Sequence, residues 1–238
     1  MATRFRFPSS GTSPISPALQ TYTHTPTTRR FFLRTVDDAN SALSTVTEAP
    51  DAADHIAAGD LFIAQFISDP LAEQTFTSGD AFKLALQTLE ANAGNNLFLQ
   101  IWMGIYTGSG GTLQSTIRSK VLDGTEVATT LTNRIFNSTL SATYACLKGE
   151  RLVVELSLSG TPTATGGVQG HNGSIRLGSN GAGGDLAEND TETGTTFNPW
   201  IEFANTIVFQ AEPSIMDAST PKSFSRFTKP DLVSFSVG

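Results

Sequence analysis

The chain has 238 residues, of which 39% are hydrophobic and only 16% charged, with a net charge of −7. This balance, with abundant Gly, Ser and Thr, is typical of a turn-rich β protein. The single Cys146 excludes an intramolecular disulfide, and no apolar stretch reaches the roughly 18 residues that a membrane span needs. The start of the chain also lacks the apolar core of a secretory signal, so we expect synthesis in a cytoplasm and no membrane partner.

The charge is distributed unevenly along the chain. Residues 1–36 carry five arginines and no acidic residue, which makes this segment +5, whereas residues 37–238 hold 10 basic and 22 acidic residues. A basic arm on an acidic body is suited to docking on a copy of itself or on another acidic partner. Nucleic acid is disfavoured as a partner, because the body lacks a basic face.

The first 36 residues read as an arm with two short strands. Thr3 to Phe7 alternate with period two, and a second alternating stretch runs from Arg29 to Val36. Between them lies a segment rich in proline, serine and threonine, which we interpret as an extended linker without a core signal. Residues 37–58 are interpreted as a loop with at most one helical turn.

Strand patterns dominate the body, residues 37–209. The first four are bounded by Gly, Asn or Asp, and Gly108 to Gly111 predicts a hairpin turn. A run of strands without intervening helices predicts an all-β, jelly-roll-like antiparallel β-sandwich with extended N- and C-terminal arms. The predicted strands are Leu61–Ser68, Asp80–Ala91, Leu97–Thr107, Thr112–Leu122, Arg134–Tyr144, Arg151–Ser159, Ser174–Ser179 and Trp200–Phe209.

Residues 210–238 form a C-terminal arm with three prolines and spaced apolar residues, among them Phe224 and Phe227. These are too many for a solvated tail, so we expect this arm to lie on its own body or on a neighbouring subunit.

One acidic loop is a candidate metal site. Residues 181–196 read GAGGDLAENDTETGTT and contain Asp185, Glu188, Asp190 and Glu192. Flexible loops that offer several oxygen ligands suit Ca²⁺. The spacing does not match an EF-hand, so we expect a solvated loop without a cofactor, and calcium is the alternative.

Catalytic motifs are not evident. The sequence has neither a G-x-S-x-G elbow nor a phosphate-binding loop, and His24, His55 and His171 lack partners at metal-ligand spacing. Glu155 and Glu202 fall on separate strands, and alternation places Glu155 toward solvent or a concave sheet surface. An outward-facing Trp102, Tyr106, Tyr144 or Trp200 would suit stacking on a sugar ring, although core packing is the competing interpretation.

Five stretches carry a resemblance to a known family: MATRFRFPSSG, LEANAGNNLFLQIWMGIY, DGTEVATTLTNRIF, GERLVVELSLSG and NPWIEFANTIVF. They resemble uncharacterised proteins of tailed bacteriophages and phage-rich metagenomes, which are regarded as virion structural components. The resemblance spans most of residues 1–209. It implies a β-sandwich located on a virion, as a capsid decoration, fibre-attachment or tail protein.

We therefore expect a non-enzymatic virion protein that forms a homo-oligomer and binds other virion proteins through its arms. The residues expected to make these contacts are Phe5, Phe7, Arg29, Arg30, Phe224 and Phe227. The alternative is a carbohydrate-binding module, with or without calcium, that adheres to glycans.

Overall fold

A computed structural model describes residues 1–36, 41–49, 59–160 and 172–210. Strands dominate these residues, and the one helical segment among them is a 3₁₀ turn at Ala93–Asn95. The strands are Thr3–Arg6 (β1), Arg30–Leu33 (β2), Ser44–Glu48 (β3), Gly59–Ser68 (β4), Gln74–Phe76 (β5), Ala81–Glu90 (β6), Leu97–Tyr106 (β7), Leu113–Glu126 (β8), Thr132–Thr139 (β9), Tyr144–Cys146 (β10), Arg151–Gly160 (β11), Gly173–Leu177 (β12) and Trp200–Phe203 (β13).

These strands form two large sheets and a small ribbon. The first sheet has the order β1-β13-β6-β12-β3, with β9 on the other side of β6, and the second has the order β2-β4-β11-β7-β8. Strands β5 and β10 pair with each other. The pairing of β2 with β4 is parallel, and the other strand pairs described are antiparallel.

Alternating side chains join the two sheets into a sandwich. In β11, Leu152, Val154, Leu156 and Leu158 belong to the main core, while Val153 and Glu155 point to the opposite face. The first sheet contributes Leu84, Leu86 and Ile201 to the same core. Period-two alternation therefore buries one face of each sheet against the other, and the expected all-β sandwich is confirmed.

Most predicted strands are present with small shifts at their ends. The stretch Arg134–Tyr144 is instead divided between β9 and β10, and the strand predicted to reach Phe209 ends at Phe203. The loop predicted for residues 37–58 is wrong at β3, where Thr45, Val46 and Thr47 pair along β12. Residues 37–40 and 50–58 lie outside the described part of the chain.

The N-terminal arm crosses the sandwich from one sheet to the other. Strand β1 pairs with β13 at the edge of the first sheet, and β2 pairs with β4 at the edge of the second. The arm is therefore part of the sandwich and supplies an edge strand to each sheet.

Candidate functional site

The segment between β1 and β2 covers the outer face of the second sheet. We call residues 13–24 the strap. Ile15 packs on a second apolar cluster, formed by Ile67, Trp102, Tyr106 and Val153 on the side of the sheet that faces away from the main core. Both faces of the central strands are consequently buried, and the interpretation of this segment as a linker without a core signal is wrong.

The strap is held mainly through its backbone carbonyl groups. Four side chains from four different strands act as donors to three of these carbonyls. Arg30 and Gln65 donate to Pro17, Tyr106 donates to Ala18, and Lys120 donates to Thr21. Since a carbonyl is common to every residue, such contacts fix the path of the strap more than its side-chain identity.

Glu155 lies at the centre of this arrangement. Its carboxylate accepts a hydrogen bond of 2.7 Å from the Tyr22 hydroxyl, one of 2.9 Å from the Gln65 amide, and longer bonds from the Gln20 backbone N–H. The side chain is 0% exposed, which contradicts the expectation that it faces solvent or a concave surface. Alternation did place it on the outer face, but the strap covers that face.

Burial has a clear electrostatic consequence for Glu155. Removal from water raises the pKa of its carboxyl group, while the hydrogen bonds from Tyr22, Gln65 and Gln20, together with the charge of Lys120, lower it to a smaller extent. The pKa of Tyr22 is also raised, first by burial and then by the adjacent carboxylate. Glu155 is thus a satisfied structural carboxylate without access to a substrate.

A second contact region joins β1 to the acidic loop. The Arg4 guanidinium lies 2.9 Å from Asp185 and 2.9 Å from Glu202, and it stacks over the Trp200 ring at 3.8 Å. Arg6 lies 2.9 Å from the other oxygen of Asp185. The basic arm therefore docks on acidic groups of its own chain.

Opposing effects act on the pKa of Arg4. Burial lowers this pKa, but the hydrogen bond to Asp185 and the charge of Glu202 outweigh burial, so the pKa is raised overall. Lys83 completes the cluster, 2.7 Å from Glu188 and 3.4 Å from Glu202. The carboxylates of this cluster are therefore neutralised by cations of β1 and β6.

The candidate calcium ligands are engaged in protein contacts. Asp185 and Glu188 pair with cations as described, Asp190 pairs with Arg134 and accepts a hydrogen bond from the Ile135 backbone, and Glu192 accepts one from Gly194. Within the described ranges, no three His, Cys, Asp or Glu residues come together as a possible metal site. The loop is organised by ion pairs with the arm, a role that local spacing alone does not reveal.

The predicted assembly residues fall into three groups. Phe5 and Phe7 are 0% exposed in the core of their own chain, where Phe7 lies against Phe66, and their contact with a neighbouring subunit stays a prediction. Arg29 pairs with Glu48, and Arg30 donates to Gln65 at 2.9 Å and to the strap. Phe224 and Phe227 lie outside the described residues.

The aromatic residues considered for sugar stacking are largely in the interior. Trp102, Tyr106 and Trp200 are at most 3% exposed, and the Trp200 indole donates to the Leu186 carbonyl at 2.8 Å. Tyr144 is partly buried and donates to Glu150. Trp102, Tyr106 and Trp200 are therefore packed in the interior, and they form no exposed row on a sheet.

Other candidate groups are also protected. Cys146 is 3% exposed, and burial together with a hydrogen bond to Glu150 raises the pKa of its thiol to about 12. His24 is buried, and its backbone pairs with β4; His171 and His55 lie outside the described residues.

An open cleft of about 460 Å³ lies beside Lys83, Asn137 and Glu202, with Ala2 at its edge.

Comparison with known proteins identifies no family. No protein-family model and no curated protein matches the chain. Among solved structures, two of a CocE/NonD family hydrolase from Staphylococcus aureus match with TM-scores of 0.45 and 0.42, at 10% and 11% identity. The matched regions cover 87% and 74% of this chain but 36% and 34% of the hydrolase chains.

An infectious bursal disease virus structure, of the Gt strain, matches with a TM-score of 0.29 at 9% identity, over 90% of this chain and 52% of the viral chain. The chain thus spans about a third of the hydrolase and about half of the viral protein. Each TM-score is below 0.5, so these likenesses carry no argument about function. In the described residues, no helix has the length and apolar character that a membrane crossing requires.

Proposed function

We propose that this chain is a non-enzymatic structural protein of a virus particle, which assembles with copies of itself and with other virion proteins. Its place on the particle would be that of a capsid decoration, a fibre-attachment protein or a tail component. The location on a virus particle is supported by the resemblance of five sequence stretches to phage virion proteins. The self-assembly is supported by the complementarity between the N-terminal arm and the body of the sandwich.

That complementarity is the observation that carries the proposal. The arm contributes Arg4 and Arg6 to acidic groups of the body, and its strap offers carbonyls to donors on three strands of the body. These contacts join segments far apart in the sequence and depend on charge and backbone groups. A surface of this kind is equally suited to hold a segment within the chain and between chains.

The engagement of the chemically capable side chains supports a non-enzymatic role. Glu155 is buried beneath the strap, Glu202 is paired with Arg4 and Lys83, and the Cys146 thiol is buried. General acid–base or nucleophilic catalysis requires such a group to reach a substrate. Glu155 and Glu202 instead bind residues of the N-terminal arm.

Substitutions in the C-terminal arm test the proposal. The full-length chain is purified, and its mass is measured by light scattering over a wide concentration range. Substitution of both Phe224 and Phe227 by alanine is expected to reduce association at least tenfold and to leave the circular dichroism spectrum unchanged. A matched control replaces Ser223 and Ser225 by alanine, which removes no apolar ring.

Deletion of residues 1–28 is a poor test of assembly, because Phe5 and Phe7 belong to the core and the deletion would unfold the sandwich. The proposal is rejected if the full-length chain stays monomeric at every concentration and also fails to bind particles of the virus that encodes it.

A further inference from the structure

We propose that residues 1–24 exchange between two copies of this chain, with residues 25–28 as the hinge, so that the arm of each copy completes the sandwich of the other. This inference rests on the proposed function as a self-assembling protein and names the segment, the receiving surface and the partner, a second copy of the same chain. In the structure described above, each arm folds back on its own body.

The receiving surface is already built in the body. Its donors, Gln65, Tyr106 and Lys120, extend from β4, β7 and β8, and its acceptor is the carboxylate of Glu155. An extended segment with free carbonyls fits this surface. Residues 13–24 of a second copy present the same groups in the same order, so no new contact has to be found.

Apolar anchors at the two ends of the arm fix its register. Ile15 packs against the outer cluster of the second sheet, and Phe5 and Phe7 fill the core between the sheets. A side chain at Gly110 would collide with Ile15, since an added Cβ would lie 2.9 Å from the Ile15 Cδ1 atom. These anchors give a transferred arm one position on the receiving body.

The hinge is defined by the contacts on either side of it. The His24 N–H donates to the Asp60 carbonyl, and the Phe62 N–H donates to the His24 carbonyl, which ties the end of the strap to β4. The Arg29 carbonyl accepts from the Gln65 N–H and ties the start of β2 to the same strand. Between these anchors, residues 25–28 (Thr-Pro-Thr-Thr) are all exposed.

In the closed form each arm lies on its own body, and in the exchanged form it lies on the body of the other copy. Both forms contain the same arm contacts, so the equilibrium between them depends on the hinge and on the chain concentration. Opening the hinge removes the loop that residues 25–28 make along β4 and extends the chain toward a neighbour. Pro26 favours the extended backbone that the exchanged form needs. Residues 1–24 carry Arg4 and Arg6 and no acidic residue, so this segment, with a charge of +2, is attracted to the acidic body of another copy.

A disulfide across β1 and β13 tests the exchange. Arg4 and Glu202 are paired residues on these strands, and the double variant R4C/E202C is made in a Cys146→Ala background. After assembly and oxidation, the chains are separated on a denaturing gel without reductant. Exchange predicts that most of the oxidised chain migrates as a covalent dimer or a longer ladder.

The matched control is A81C/T139C in the same background. These two exposed residues are paired on β6 and β9, both within the body, so this disulfide should stay within one chain. A monomer band for R4C/E202C from a sample that is multimeric by light scattering would overturn the exchange and leave the proposed function standing. A chain that is monomeric throughout would overturn the exchange, and it would overturn the proposed function as well if it also fails to bind virus particles.

A second measurement leaves every side chain unchanged. Chains with natural and heavy nitrogen are refolded together, and the amino terminus is joined to Lys83 by a short amine-reactive cross-linker, since Ala2 and Lys83 line the same cleft. Exchange predicts cross-linked peptides that combine the two isotopes, whereas uniform isotope pairs would overturn it. Insertion of Gly-Ser-Gly-Ser after Pro26 is expected to lower the mixed fraction severalfold, because a longer hinge favours the closed form.

Discussion

The Tyr22 hydroxyl donates a hydrogen bond of 2.7 Å to the Glu155 carboxylate, which joins the N-terminal arm to the central strand of the second sheet. Lys120 lies 3.8 Å from the centre of the Tyr22 ring on the same side of the sheet. Because this bond is buried between the strap and the sheet, substitutions that remove it test the position of the arm in solution.

Removing the Tyr22 hydroxyl should loosen the strap. Tyr22→Phe leaves the buried Glu155 carboxylate with one donor fewer, and we expect the free energy of unfolding to fall by about 1–3 kcal/mol. Hydrogen exchange should become faster in residues 13–24 before it changes in β7 or β11. Thr12→Ala, at an exposed position of the arm, is the control and should leave both measurements unchanged.

The ionisation of Glu155 should give the stability a defined pH dependence. Burial raises its pKa above the ordinary value of 4.5, so the folded chain binds this proton more tightly than the unfolded chain does. The contribution of Glu155 to stability is therefore fully present below pH 4.5 and is lost as the pH rises through the folded pKa.

Glu155→Gln removes this titration. Urea unfolding of the two proteins from pH 4.5 to 8 should show that the stability of the wild type, relative to the variant, declines as the pH rises. Glu90 and Asp60 titrate in both proteins, so their contributions to stability cancel in this difference. Burial raises the pKa of Glu90. Burial also acts to raise the pKa of Asp60, but the contact with Lys120 acts in the opposite direction, and the pKa is lowered overall. A difference that rises with pH would show that Glu155 is not buried as described.

The arm should contribute to the core of the sandwich. Phe7→Ala removes a fully buried ring that lies 4.8 Å from the ring of Phe66, and the expected loss is about 3–5 kcal/mol of unfolding free energy. Val36→Ala, at an exposed position of the same arm, should cost little. Equal and small effects of the two substitutions in thermal unfolding would show that β1 does not dock on the sandwich.

Arg4 should hold the acidic loop in place. Arg4→Gln removes the ion pairs with Asp185 and Glu202 and the stacking on Trp200, for an expected loss of about 1–2 kcal/mol. The difference from wild type should shrink in 1 M NaCl, because these groups are partly exposed. Arg34→Gln is the control, because it removes a guanidinium that stacks on an aromatic ring, Phe32, as Arg4 stacks on Trp200. A loss that persists at high salt would assign the effect to packing alone.

Calcium should not stabilise the chain. Asp185, Glu188 and Asp190 are paired with cations, so binding Ca²⁺ would require these ion pairs to break. We expect the same thermal midpoint in 5 mM CaCl₂ and in excess chelator. A rise of several degrees with calcium, absent with magnesium, would restore the loop as a metal site.

The main strands could be predicted from the sequence because their signal is local. Alternation along Leu152, Val154 and Leu156 identifies both the strand and its core face. The short strands β3 and β5 depend on pairing with distant partners, although the β-branched run Thr45, Val46 and Thr47 offered a signal for β3. Short strands of this kind are stabilised by their neighbours in the sheet.

The contacts of the arm could not be predicted in the same way. The proline-rich strap has no periodicity, and three of its four side-chain donors, Gln65, Tyr106 and Lys120, lie about 50 to 100 residues away in the chain. The uneven charge did indicate that the arm docks on an acidic surface, and the structure places that surface in the same chain at Asp185 and Glu202. Charge pattern predicts the kind of partner but does not say whether it belongs to the same molecule or to another.

Light scattering on the full-length, unmodified chain tests the central claim most directly. A structural protein that assembles through its arms should form a multimer of defined stoichiometry whose population rises with concentration. A chain that remains monomeric up to several hundred micromolar, and that does not associate with virus particles, would contradict the account.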